Sequence, residues 1–251
     1  MMDSEIKAIF FDLGNTLRFL DKDELHMANA RRKMVDLVGA KEDPDAFCDL
    51  LNKRYKDYRV WAFENKIEAP ESELWTRWLT PDYPSEKIAP LSTELTYQFR
   101  QSNGKRVVVD GARDVISELK KRGYELGIIS NLISTREIPE WLKEEDYEKY
   151  FSSVVLSSVL GIRKPDPAIY LEAVRRINVD PINCAYIGDN LDRDVAGARL
   201  AGFGMVVIFM PEEDLKVIQL TDENRPDMFI HNFAQLLDIF NENPCSINQK
   251  G

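Results

Sequence analysis

Residues 8–17 read Ala-Ile-Phe-Phe-Asp-Leu-Gly-Asn-Thr-Leu, and the interpretation of the fold starts from this stretch. Its first four residues are apolar without polar alternation, as expected for a strand that is buried on both faces of a sheet. Asp12 follows directly at the carboxyl end of that strand. Ligands of parallel α/β sheets bind beyond the carboxyl ends of the strands. Asp12 is therefore the first candidate for a functional side chain.

From residue 104 onward, the pattern predicts strands and helices in alternation. Helical spacing of apolar residues is seen near 112–119, 166–177, 192–201 and 233–240. Short apolar runs that predict strands lie at 126–129, 154–156, 184–187, 205–209 and 228–230. Strands separated by helices are typical of right-handed βαβ units and a parallel sheet covered on both faces. The predicted fold class is therefore α/β, with a doubly wound, Rossmann-type parallel sheet.

The segment 18–103 has a different texture, in which long charged side chains alternate with apolar ones at helical spacing. We predict no strand there, and we expect its aromatic residues to pack between helices. These aromatic residues are Trp61, Trp75, Trp78 and Tyr83. The predicted domains are a discontinuous α/β core of residues 1–17 and 104–251 and an all-helical cap of residues 18–103.

Composition and charge limit the classes of partner. The 251 residues include 33 basic and 43 acidic ones, which gives a net charge of −10. Nucleic acids and anionic membranes both require a basic surface, so neither is an expected partner. The apolar run at 8–11 is too short for a secretion leader, and the three cysteines (Cys48, Cys184, Cys245) have no metal-binding spacing. We expect a cytoplasmic protein of undetermined oligomeric state.

Polar residues follow three other predicted strands. Ser130 and Asn131 come after the strand at 126–129, Lys164 comes shortly after the strand at 154–156, and Asp189 follows the strand at 184–187. Each is unremarkable alone, because an Asp after a strand is often a turn residue and a Lys before Pro is often a solvated charge. Together with Asp12, however, they predict a site at one edge of the sheet. A carboxylate can attack phosphorus, a divalent cation such as Mg²⁺ can neutralise the charge, and a hydroxyl and an ammonium can hold the phosphoryl oxygens.

The chain resembles the haloacid dehalogenase (HAD) superfamily, in the branch with a helical cap inserted after the first motif. The four matching segments are Phe10-Phe11-Asp12-Leu13-Gly14-Asn15-Thr16-Leu17, Ile128-Ile129-Ser130-Asn131, Gly161-Ile162-Arg163-Lys164-Pro165-Asp166 and Ile187-Gly188-Asp189-Asn190-Leu191-Asp192-Arg193-Asp194. The resemblance implies that Asp12 is the nucleophile and a metal ligand. Ser130 and Lys164 are implied as catalytic and phosphate-binding residues, with Asn131 in the same phosphate site. Asp189 is an implied Mg²⁺ ligand, and Asp194 is the implied second carboxylate near the metal or its waters.

One position departs from the family pattern. The family usually has Asp two residues after the nucleophile, followed by Gly, whereas this chain has Gly14 and Asn15. The missing Asp normally protonates the leaving group and then activates water, a contribution of about 10²–10⁴-fold. In the family this position binds magnesium through its backbone carbonyl, so Gly14 stays in the predicted metal site. Asp21 and Asp23 are candidates to take over this acid–base role, although we expect both to be solvated residues of the linker to the cap.

The leading hypothesis is a magnesium-dependent phosphomonoester hydrolase that acts on a small phosphorylated metabolite through an aspartyl-phosphate. The alternative is a catalytically weakened phosphate-binding or protein-interaction module, and a phosphotransferase or dehalogenase is a third hypothesis. The cap is expected to select the substrate. Three of its arginines, Arg18, Arg54 and Arg59, are candidates for that contact, and the sequence does not distinguish between them.

Overall fold

The computed structural model of the protein describes residues 5–216 and 218–241. Within these residues the strands are β1 (Ala8–Phe11), β2 (Arg18–Asp21), β3 (Lys105–Val108), β4 (Glu125–Ser130), β5 (Phe151–Leu156), β6 (Cys184–Gly188), β7 (Met205–Phe209) and β8 (Met228–Ile230). Six of them form a sheet in the order β5-β4-β1-β6-β7-β8, and every pair in it is parallel. The α/β prediction with a doubly wound parallel sheet is confirmed.

Strand β1 lies in the middle of this sheet, where the order of the strands reverses. Phe11 is paired with Ile128 of β4 on one side and with Ile187 of β6 on the other. The chain therefore leaves the sheet in opposite directions from β1, which opens a crevice at the carboxyl ends of β1 and β6. Asp12 and Asp189 directly follow these two strands, so both lie at the crevice.

Helices cover both faces of the sheet. The helices after β3 are α6 (Ala112–Lys121), α7 (Glu137–Glu144), α8 (Ser157–Leu160), α9 (Pro167–Ile177), α10 (Ala196–Leu200) and α11 (Leu236–Ile239). Helices α6, α7 and α11 pack in one apolar core with Ile9 and Phe11, whereas α9 and α10 pack in a second core with Ala8 and Phe10. Alternate residues of β1 thus point to opposite faces. This explains why the strand is apolar throughout.

A helical unit separates β2 from β3. It consists of α1 (Glu24–Val38), α2 (Pro44–Asn65), α3 (Glu71–Glu73), α4 (Ser85–Ile88) and α5 (Ser92–Gln101), and α3 continues into a π-helical turn at Leu74–Leu79. These elements share a third apolar core. Trp75 is fully buried in it, and Trp61, Trp78 and Tyr83 pack against it, so the expected role of these aromatic residues is confirmed.

The prediction that 18–103 contains no strand was wrong. Strand β2 pairs with β3 in an antiparallel ribbon, with Arg18 opposite Val108 and Asp21 opposite Lys105. Only four residues long and mostly exposed, β2 lacks the apolar alternation by which a strand is recognised in sequence. The ribbon connects the sheet to the helical unit. The division into domains at 17/18 and 103/104 stays a prediction.

Three further expectations concern Asp23, the cysteines and membrane-spanning helices. The side chain of Asp23 accepts a hydrogen bond of 3.0 Å from the backbone N–H of His26 and so caps α1, as suits a linker residue. Cys48 and Cys184 are buried free thiols, and Cys245 lies outside the described residues. Within the described part of the chain, the helices are too short or too polar to cross a membrane.

Candidate active site

Asp12 is held at the end of β1 by contacts from three directions. Its backbone N–H donates a hydrogen bond of 2.8 Å to the carbonyl of Ile187, which fixes it against β6. The hydroxyl of Ser130 donates to Asp12 Oδ1 at 3.0 Å, and Lys164 Nζ lies 2.9 Å from the same oxygen. Asp12 is only 4% exposed. The structure thus brings together the three residues that the sequence predicts as catalytic.

Lys164 is a buried ammonium between two carboxylates. Its Nζ lies 2.9 Å from Asp12 Oδ1 and 2.9 Å from Asp194 Oδ1, and it donates a hydrogen bond of 2.7 Å to the hydroxyl of Tyr186. Burial and the nearby charge of Asp194 raise the pKa of Tyr186 well above its ordinary value, so the hydroxyl stays neutral. The ammonium is therefore fixed in position, with its charge offset by the two carboxylates.

Asn131 positions the loop that carries Lys164. Its side-chain amide donates a hydrogen bond of 2.9 Å to the backbone carbonyl of Lys164, and its side-chain oxygen accepts one of 2.8 Å from the backbone N–H. Both the nitrogen and the oxygen of the side-chain amide are thus hydrogen-bonded to the backbone of Lys164. Direct phosphate binding by Asn131 stays a prediction, because the observed contacts assign its side chain to the loop.

Three carboxylates form the candidate metal site. One oxygen from each of Asp12, Asp189 and Asp194 lies within 4.8 Å of the others. Burial and the neighbouring Asp12 raise the pKa of Asp189 to about 6. Carboxylates this close repel each other unless a cation lies between them, and hard oxygen ligands suit Mg²⁺. The donor set therefore fits the ion that the sequence predicts.

Asp194 also shapes the loop after β6. Its Oδ2 accepts hydrogen bonds from the backbone N–H groups of Asp189 (3.3 Å) and Asn190 (3.1 Å). A Cβ at Gly188 would lie 2.5 Å from that oxygen, so only glycine allows this approach. Although burial alone raises the pKa of Asp194, the charges of Lys164 and Arg193 bring it below its ordinary value. Asp194 thus remains ionised while it organises the loop.

Arg193 is a site residue that the sequence analysis missed. Its Nη2 lies 3.1 Å from Asp12 Oδ2, 3.0 Å from Asp189 Oδ1 and 3.1 Å from Asp194 Oδ2. The guanidinium therefore neutralises the same three carboxylates that form the candidate metal site. An arginine among acidic residues in the fourth motif is compatible with a solvated surface charge, so its sequence position alone does not reveal this contact.

Gly14 and Asn15 form the turn that follows Asp12. Asn15 has a φ of 54°, a left-handed conformation that Asn tolerates better than most residues. Its side-chain amide donates a hydrogen bond of 3.1 Å to Asp189 Oδ2. Gly14 is not in that conformation, and a Cβ added there would meet no atom within 4 Å. The glycine therefore leaves open space beside the nucleophile.

Comparison with known proteins identifies the family. A family model described as haloacid dehalogenase-like hydrolase matches residues 6–202. The chain belongs to this hydrolase family. It is 33% identical over 243 residues to a glyceraldehyde 3-phosphate phosphatase of Methanopyrus kandleri, a match that covers 94% of this chain and 98% of the relative. It is also 33% identical over 223 residues to a phosphoserine phosphatase of Thermus thermophilus, with 78% and 86% covered.

Solved structures of haloacid dehalogenase-like hydrolases share the fold. A 2-haloacid dehalogenase from Pseudomonas syringae pv. Tomato DC3000 superposes with a TM-score of 0.68 at 25% identity, covering 94% of this chain and 98% of that one. A HAD phosphatase from Thermococcus onnurineus superposes with a TM-score of 0.60 at 21% identity, covering 95% and 100%. The fold of this chain is therefore shared with these hydrolases over most of its length.

In this hydrolase, a cavity of about 340 Å³ lies against Asp12. Its wall is rich in arginine, with Arg18, Arg59, Arg100, Arg106 and Arg163 all lining it together with Ser130 and Asn131. Of the three arginines that the sequence left undistinguished, Arg18 and Arg59 therefore face the cavity. Arg54 instead donates to the carbonyl of Leu79 at 2.8 Å and pairs with Asp82.

Glu137 is a second missed residue, and it holds three of these arginines. Its carboxylate lies 2.9 Å from Arg18, 2.6 Å from Arg100 and 3.6 Å from Arg106. Although burial alone raises the pKa of Glu137, the arginines bring it well below its ordinary value. The four residues come from β2, α5, β3 and α7. Their convergence therefore depends on the tertiary fold and has no sequence motif.

Glu68 joins the helical unit to the loop that carries Lys164. Its buried carboxylate pairs with Arg163 and accepts a hydrogen bond of 2.6 Å from the hydroxyl of Ser157. The backbone N–H of Glu68 donates to the carbonyl of Gly161 at 3.0 Å, and that of Arg163 donates to the carbonyl of Lys66 at 3.0 Å. The segment before Lys164 is therefore paired along its backbone with the segment between α2 and α3.

Proposed function

We propose that this hydrolase is a magnesium-dependent phosphomonoesterase that acts on a small phosphorylated metabolite through an aspartyl-phosphate. The observation that carries the proposal is that the two oxygens of Asp12 have different surroundings. Oδ1 faces Ser130 and Lys164, whereas Oδ2 faces Arg193 on the side of the carboxylate cluster. These surroundings support attack by Oδ1, beside the hydroxyl and ammonium that would bind phosphate, and cation binding by Oδ2.

In the first half-reaction, Asp12 Oδ1 forms a bond to phosphorus while the bond from phosphorus to the ester oxygen breaks. The hydroxyl of Ser130 and the ammonium of Lys164, which both contact Asp12 Oδ1, would hold the phosphoryl oxygens as charge develops on them. Asp12, Asp189 and the backbone carbonyl of Gly14 would hold Mg²⁺, with Asp194 beside it, and the ion would neutralise charge between the nucleophile and the phosphate dianion.

In the second half-reaction, water attacks the phosphorus of the aspartyl-phosphate and releases inorganic phosphate, which regenerates Asp12. Removal of a proton from that water, like protonation of the leaving alkoxide before it, usually depends on a nearby acid–base side chain. The open space at Gly14 means that position 14 supplies no such group. We therefore expect slow turnover of substrates with basic leaving groups.

The comparisons support a small substrate, and the cavity beside Asp12 is large enough to hold one. Relatives over most of the chain are named glyceraldehyde 3-phosphate phosphatase and phosphoserine phosphatase. The cavity beside Asp12, about 340 Å³, lies at the lower end of the range for small-molecule sites, about 300–1,000 Å³. The substrate panel accordingly begins with glyceraldehyde 3-phosphate, phosphoserine and an aryl phosphate.

The glycine at position 14 favours a second candidate, a module that binds phosphate without turning it over. The same panel separates the two functions when it is run with Mg²⁺, with chelator and on the variant Asp12→Asn. We expect turnover only for the parent protein with Mg²⁺, because an amide is a poor nucleophile and a weaker metal ligand.

Asp192→Asn is the matched control for this experiment. It changes an exposed aspartate between Asp189 and Asp194 that is outside the carboxylate cluster, and the variant should hydrolyse phosphate esters at the parental rate. Equal activity of Asp12→Asn and the parent protein would refute the nucleophile. Phosphate binding without turnover of any substrate would establish the second candidate instead.

A further inference from the structure

The cavity beside Asp12 carries more positive charge than its acidic neighbours offset. Glu137 is shared by three arginines, Arg18, Arg100 and Arg106. Arg163 pairs with Glu68. Besides Arg193, which pairs with the catalytic carboxylates, five guanidinium groups thus line one small cavity, and two carboxylates outside the catalytic cluster are paired with four of these five.

Arg59 is the fifth guanidinium, and it is exposed at the mouth of the cavity on α2. Within residues 5–216 and 218–241, no acidic side chain is paired with it. Its charge is therefore free to meet a ligand.

The crowding of these arginines lowers the pKa of one of them. Burial and the neighbouring Arg100 lower the pKa of Arg106 to about 9. The Nε atoms of Arg18 and Arg163 are buried without a hydrogen-bond partner among the described residues. Buried polar groups without partners and like charges close together both cost stability, and an anion in the cavity would relieve the repulsion between the like charges.

The arginines are separate from the groups that surround the nucleophile. Arg18, Arg100 and Arg106 make their ion pairs with Glu137, and Arg163 makes its pair with Glu68. Ser130 and Lys164, by contrast, contact Asp12 directly. The scissile phosphate therefore has its own binding groups, which leaves the guanidinium groups for another part of the ligand.

We infer that the arginine-lined cavity binds a second anionic group of the substrate, a carboxylate or a phosphate distant from the scissile phosphate. This inference rests on the proposed function and narrows its substrate class to phosphorylated metabolites with an acidic tail. Guanidinium groups form paired hydrogen bonds with the oxygens of a planar carboxylate or a tetrahedral phosphate. A neutral hydroxyl tail would leave some of the guanidinium N–H donors without a partner.

The first test measures binding without turnover. Three phosphonates with the same three-carbon skeleton differ only in the tail. Propylphosphonate has an uncharged tail, 3-phosphonopropionate has a carboxylate, and propane-1,3-bisphosphonate has a second phosphonate. Calorimetric titration in magnesium-free buffer should show that one or both anionic tails bind at least about ten-fold more tightly than the neutral one, as charge-assisted hydrogen bonds predict. The better of the two anions identifies the tail chemistry. Equal binding of all three would overturn the inference.

Variants then assign the effect to the arginines. Arg59→Gln should reduce the preference for the anionic tail by at least about three-fold, as expected for an exposed charge. The partly buried Arg106→Gln should reduce it by about ten-fold, with its fold checked by thermal melting. Lys53→Gln is the matched control, because it removes one exposed positive charge from α2 at a position that does not line the cavity. A preference unchanged in both arginine variants would overturn the inference.

A second test uses hydrolysis, so that the inference and the proposed function can fail separately. Glycerol 3-phosphate, 3-phosphoglycerate and glycerol 1,3-bisphosphate are compared by KM and kcat with Mg²⁺ present. A lower KM for an acidic tail that rises selectively in Arg59→Gln supports both proposals. Hydrolysis without any tail preference, in binding or in KM, overturns the inference and leaves the phosphatase. Tail-selective binding with no hydrolysis of any phosphate ester overturns the phosphatase and leaves the anion site.

Discussion

Restoring a carboxylate at position 14 is the most direct test of why this site departs from the family pattern. A Cβ at Gly14 meets no atom within 4 Å, and the residue is not in a left-handed conformation. Gly14→Asp is therefore expected to fold. The substitution restricts the backbone of the unfolded chain, which should raise the free energy of unfolding by about 0.4–1 kcal/mol. Repulsion between the new carboxylate and those of Asp12 and Asp189 acts in the opposite direction.

The expected gain in rate follows from what the carboxylate can do. A positioned acid–base group is worth about 10²–10⁴-fold, which corresponds to about 3–5 kcal/mol of activation free energy. An alkyl phosphate needs its leaving oxygen protonated, whereas an aryl phosphate with an acidic leaving group departs without a proton. We therefore expect Gly14→Asp to raise kcat for a sugar phosphate by about 10²-fold, with a smaller gain for p-nitrophenyl phosphate.

The assay compares kcat for both substrates in the parent protein, Gly14→Asp and Gly14→Asn. The asparagine variant has the same size and cannot transfer the proton, so it controls for packing. Thermal melting confirms that each variant is folded. The reasoning would be refuted if a well-folded Gly14→Asp protein gave no selective gain on the sugar phosphate, or if Gly14→Asn gave the same gain. Another group would then already supply the proton, and Asp21 or Asp23 would be mutated next.

Two further predictions concern charged residues that only the structure revealed. Glu137→Gln should lower the free energy of unfolding by about 3 kcal/mol at pH 7, because it leaves buried arginines without their carboxylate. The folded-state pKa of Glu137 lies below the unfolded value, so the stabilisation by Glu137 is complete above about pH 4.5 and is lost as the pH falls. In denaturant titrations, the difference in unfolding free energy between the parent protein and Glu137→Gln should therefore become smaller below that pH. A difference that does not change with pH would contradict this role of Glu137. Arg193→Gln should bind Mg²⁺ about ten-fold more tightly in calorimetric titrations, because Arg193 pairs with the carboxylates that would bind the cation. The control Arg199→Gln, which loses an exposed ion pair with Asp227, should bind Mg²⁺ like the parent protein. Weaker binding by Arg193→Gln would show that Arg193 supports the cation.

The elements that could be predicted from sequence are those with a strong local pattern. β1 and β6 are buried on both faces and therefore read as continuous apolar runs. Asp166 and Pro167 mark the start of α9 because capping depends on adjacent residues, and the side chain of Asp166 does accept from the backbone of Ala168. β2 was missed because its pairing with β3 comes from a partner more than 80 residues away, which no short window reports.

The same distinction applies to the site. Asp12, Ser130 and Lys164 could be placed together because each lies at or beyond the carboxyl end of a strand of one parallel sheet, although their catalytic roles stay predictions. Arg18 and Glu137 are 119 residues apart and lie on elements whose relative position depends on how the helical unit packs against the sheet. Arg193 was missed for another reason. Its sequence position was known, but the direction of its side chain depends on three carboxylates that only the folded chain assembles.

The backbone pairing between residues 66–68 and 161–163 has a consequence for how the site opens. A swing of the helices away from the sheet that preserves these main-chain bonds must use them as a pivot. Such a swing would carry Arg59 and Arg100 away from the nucleophile and would break the ion pair of Arg100 with Glu137. Lys164, on the stationary side of the pivot, would keep its distance of 2.9 Å from Asp12. Opening would thus release the tail of a bound molecule while the phosphate-binding groups remained assembled for the next one.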